Sequence, residues 1–63
     1  MNNAANIASD IFASTSSALI RAQRKGGSWD LTATEILEVE HILGRLPTRN
    51  EVAEIEAALT ALL

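Results

Sequence analysis

The sequence predicts an all-α fold, a small three-helix unit in which an N-terminal helix joins an antiparallel helical hairpin as one domain over residues 1–63. Three observations predict it. Residues 32–43 and 48–59 are two copies of one pattern, T-x-x-E-(I/V)-x-E-(V/I)-E-x-x-L, offset by sixteen positions. Each copy begins with a Thr followed three residues later by a Glu, the signature of a capping box, and continues with apolar residues at helical spacing. The segment before the repeat also carries its apolar residues at a helical period and ends at Gly26-Gly27.

Helix one is expected over about residues 4–25. Successive residues about 100° apart place Ala4, Ile7, Ala8, Ile11, Thr15, Ala18, Leu19 and Ala22 in one stripe, with Phe12 at its edge. The stripe is made mostly of small side chains. The run Ser14-Thr15-Ser16-Ser17 has mediocre helix propensity, because short hydroxyl side chains compete for backbone hydrogen bonds, so this helix depends on packing. Arg21, Arg24 and Lys25 form a basic knot in its last turns, where cations complement the helix dipole. Ile20 lies opposite the main stripe, beside Ala13 and Ser16, and is the first candidate for contact with a partner.

Gly26-Gly27-Ser28 is a break, and Trp29-Asp30-Leu31 leads into the hairpin. Leu31, just before the Thr32 cap, is placed to pack on Ile36 as a hydrophobic staple. The core stripe of helix two is Ile36, Val39, Ile42 and Leu43; Gly44 then suits the left-handed conformation past a helix end, and Pro47 bars continuation. Helix three starts at the Thr48 cap and is expected to bury Val52, Ile55, Ala58, Leu59, Leu62 and Leu63. So short a connection makes the two helices antiparallel neighbours.

Composition bounds the function. A chain of 63 residues has room for only a small core, so helix packing, self-association or a partner must supply stability. Cysteine is absent, which removes disulfides, thiolate metal sites and cysteine nucleophiles. The N-terminal MNNAANIASD lacks the basic flank of a secretory signal, and no apolar run reaches the roughly 20 residues of a membrane helix, so a cytoplasmic, non-membrane protein is expected. Net charge is −3, with Asp30, Glu35, Glu38, Glu40, Glu51, Glu54 and Glu56 making the hairpin acidic. Such a surface repels phosphates, so no nucleic-acid partner is expected.

Aligned, the copies differ at Leu37 against Ala53, His41 against Ala57 and Ile42 against Ala58. Leu37 and His41 project away from the stripe of helix two and are candidate partner contacts, as is Trp29, read either as a binding anchor or as a lid on the core. Glu38-x-x-His41 is the one spacing that suits a metal, since Glu and His three apart share a helix face; its counterpart Glu54-x-x-Ala57 lacks the imidazole. Ser14, Thr15, Ser16 and Ser17 have no His nearby in sequence, and Gly26-Gly27 follows a helix rather than opening one as a phosphate loop does. No catalytic, metal or cofactor residues are assigned, and a non-enzyme is expected.

The stretch from Leu31 to Glu51 resembles the linker domain of phosphoribosylformylglycinamidine synthase of purine biosynthesis, through Leu31, Thr32, Glu35, Ile42, Leu43, Gly44, Arg45, Pro47 and Glu51 at that family's spacing. The match covers about a third of the chain. The family's following motif, rich in Trp, Ser, Glu, His and Cys, has no counterpart in residues 52–63, so the resemblance implies a capped helical hairpin and a surface that imitates a linker, with no catalytic residues to carry over. The run L-G-R-x-P-T-x-x-E also looks like the start of a helix-turn-helix segment of primary sigma factors. The helix that would read DNA there carries Glu51, Glu54 and Glu56 against Arg49, which opposes insertion into a groove.

Three functions follow as expectations. The first is a protein–protein interaction module that binds or modulates a larger protein. The second is a self-assembling structural subunit, a homo-oligomer paired through the small-residue face of helix one. A helix-turn-helix-like regulator or a small metal-binding protein built on Glu38 and His41 comes third.

Overall fold

In the computed structural model the described residues are 3–14, 22 and 25–63. Among them the chain forms helices α1 (Ala4–Ser14), α2 (Ala33–Leu43) and α3 (Arg49–Ala61), and no strand. The fold is all-α, with α1 packed on α3 and, over a smaller area, on α2. The expected extension of helix one toward Lys25 falls largely on residues 15–21, 23 and 24, which lie outside the described residues, together with the stripe members Thr15, Ala18 and Leu19.

The three helix starts and the stop of α2 have local causes. Asn3 caps α1: its Oδ1 accepts the Asn6 N–H at 2.9 Å, and its carbonyl accepts the Ile7 N–H at 3.0 Å. Both repeat copies form complete capping boxes. Thr32 Oγ1 accepts the Glu35 N–H at 3.2 Å while Glu35 Oε1 accepts the Thr32 N–H at 2.9 Å; Thr48 and Glu51 do the same at 3.2 and 2.8 Å. Helix α2 ends where Gly44, at φ +76°, sends its N–H to the Glu40 carbonyl at 2.8 Å. Gly26, at φ +89°, follows a turn in which the Lys25 N–H reaches the Ala22 carbonyl at 3.3 Å.

The core takes one stripe from each helix. Ile7, Ala8 and Ile11 of α1, Val39 of α2, and Ile55 and Leu59 of α3 are buried around Trp29; Ala4, Phe12, Leu31, Ile42, Leu43, Ala58 and Leu63 pack against them. Four positions expected in these stripes depart from them: Ile36 and Val52 are only half-buried and outside this cluster, Ala22 is exposed, and Leu62 is 48% exposed. Leu62 is the C-cap of α3, with right-handed helical backbone angles, and Leu63 beyond it packs against the core.

The distribution of packing is uneven. Helices α2 and α3 touch each other least of the pairs, although a short connection joins them. What holds them together is α1, laid against both, and the segment ahead of α2. The Trp29 N–H donates to Thr60 Oγ1 at 2.9 Å and the Leu31 N–H to Glu56 Oε2 at 2.8 Å, which ties residues 29–31 to the C-terminal half of α3. Thr60 is held in turn, donating its hydroxyl to the Glu56 carbonyl at 2.8 Å.

Candidate functional site

Trp29 is a core residue, which corrects its reading as a partner contact. Its side chain is fully buried, with its ring tilted 45° against Phe12 at a centroid distance of 5.8 Å. Burial leaves the indole N–H in need of an acceptor, and Glu35 Oε2 takes it at 3.0 Å. Glu35 therefore closes its capping box with one oxygen and anchors the indole with the other.

The second copy of the repeat reproduces this device. Arg45 stands sixteen residues after Trp29, and each is six residues before the Glu of its box. Arg45 Nη1 and Nη2 grip Glu51 Oε1 and Oε2 at 2.8 and 2.7 Å, and Nη1 also donates to the Leu46 carbonyl at 3.1 Å. The hydrogen bond from Arg45, then that from the Thr48 backbone, holds the Glu51 carboxyl down at about 2; the same contact with Glu51 raises the Arg45 guanidinium. One copy thus uses an indole inside the fold and the other a guanidinium outside it.

With Trp29 removed from the surface, the outer face of α2 carries the remaining candidates. Val39 is fully buried and faces the core; Leu37 and His41, two residues either side, emerge on the opposite face and are four apart, so they are neighbours there. Leu37 is 62% exposed, and His41 is exposed. The corresponding positions in α3, Ala53 and Ala57, are also exposed but carry only methyl groups. Ile20 lies outside the described residues.

Sequence reasoning did not single out Leu46, which is 65% exposed in the connection between α2 and α3. The signal was available: Leu46 follows the Gly44 stop and precedes Pro47, so no helix positions it toward the core. A second omission is a groove of about 170 Å³ where one end of the fold brings all three described helices together. Asn3, which caps α1, Ala4 and Ile7 of α1, Leu43 of α2, and Glu51, Glu54 and Ile55 of α3 line it. A shallower depression of about 150 Å³ is bounded by Phe12, Ala22, Lys25, Leu62 and Leu63.

Among the described residues no three His, Asp or Glu side chains converge where a metal ion could be held, so Glu38 and His41 gain no third ligand there. The Ser14 hydroxyl donates to the Ile11 carbonyl at 2.9 Å, a local bond within α1. No described helix is long and apolar enough to cross a membrane. No protein-family model, curated protein or solved structure matches the chain.

Proposed function

We propose that this protein is a non-catalytic contact module that binds a larger protein through the outer face of α2. The observation that carries the reading is Leu37, a large apolar side chain 62% exposed on a helix capped at both ends, where the repeated copy has only Ala53. The comparison between copies matters more than the exposure, since single exposed apolar residues are common on protein surfaces. Capping and core packing account for Thr32 and Thr48, Glu35 and Glu51, Val39 and Ile55, and Leu43 and Leu59 of the shared pattern. They leave Leu37 and His41 without a structural task, and a solvent-facing Leu beside an imidazole is suited to bury area against a partner.

The resemblance of residues 31–51 to a purine-synthase linker supports a narrower version, in which the chain imitates that linker and binds or modulates an enzyme that contains one. Thr32, Glu35, Gly44 and Glu51, which carry the resemblance, here serve as caps, helix stop and ion-pair partner. They favour a shared hairpin geometry more strongly than a shared binding surface.

Immobilised wild-type chain and a Leu37→Glu variant, exposed to lysate of the source cell, test the proposal. A protein retained by the wild type and lost by the variant is expected, with both chains showing the same helical circular dichroism. Equal recovery by the two chains, or no specific protein with either, contradicts it. Self-assembly is the competing reading, favoured by the apolar depression beside Phe12, Leu62 and Leu63. Sedimentation equilibrium of the purified chain separates the two, because a structural subunit forms a defined oligomer without any other component.

A further inference from the structure

We draw no further inference here: the strongest candidate, the apolar depression bounded by Phe12, Ala22, Lys25, Leu62 and Leu63 beside the end of α3, carries nothing because nothing in the structure shows what covers it.

Discussion

Trp29 and Glu51 show at the scale of single residues how this small fold holds together. Trp29 joins every described helix: its ring meets Phe12 of α1, its indole N–H meets Glu35 of α2, and its backbone N–H meets Thr60 of α3. Truncating it to Ala leaves a cavity at the centre of the core and should cost about 3–5 kcal/mol, read from urea denaturation. A change below about 1 kcal/mol would place Trp29 outside the core that matters. Glu51 acts through charge. Its folded carboxyl is held at about 2, below its ordinary value, so the unfolded chain binds the proton more readily and stability rises with pH across that interval. The contribution is fully present above the ordinary carboxylate range and is lost as pH falls through about 2. Glu51→Gln keeps an acceptor for the Thr48 N–H and removes the charge. The wild type should therefore be the more stable chain at neutral pH, with the difference shrinking toward pH 2; a difference independent of pH would refute the role of the Arg45 pair.

The helices themselves were largely legible from sequence, because their ends are decided by residues a few positions apart. Thr32 and Glu35, Thr48 and Glu51, and Gly44 each do what their spacing implied. Thr48→Ala removes one acceptor from the start of α3 and should cost about 1 kcal/mol. Gly44→Ala should cost about 1–2 kcal/mol, all of it backbone strain at φ +76°, since a Cβ there meets nothing within 4 Å. Thermal unfolding of the two variants checks both figures. If Gly44→Ala proves neutral, the left-handed stop is not what ends α2. What sequence left open lies between elements. The fate of Trp29 depended on Thr60, 31 residues away, and on the enclosing face of α1, neither of which a local pattern encodes. A hint was present all the same, for the sixteen-residue alignment pairs Trp29 with Arg45, and both serve the Glu six residues on. Leu62, on the expected stripe of α3, is instead 48% exposed at the end of that helix.

Over the whole molecule, the short connection between α2 and α3 does not make them each other's main support. Helix α1 and residues 29–31 take that part, and the arrangement leaves the outer face of α2 uncovered. No buried side-chain polar atom among the described residues lacks a partner. The large apolar groups left exposed among the described residues are Leu37, Leu46 and Leu62, and the proposed contact uses the first of them. Of the contact candidates that sequence suggested, Leu37 and His41 are on that outer face and Trp29 is inside. A photo-crosslinking amino acid placed at position 37 and, in a second chain, at position 53 tests the central claim most directly, because the two sites are equivalent in the repeat and both exposed. Crosslinking in the source cell to one defined protein from position 37, and not from position 53, is the predicted result. Equal crosslinking from both positions, or none from position 37, would contradict it.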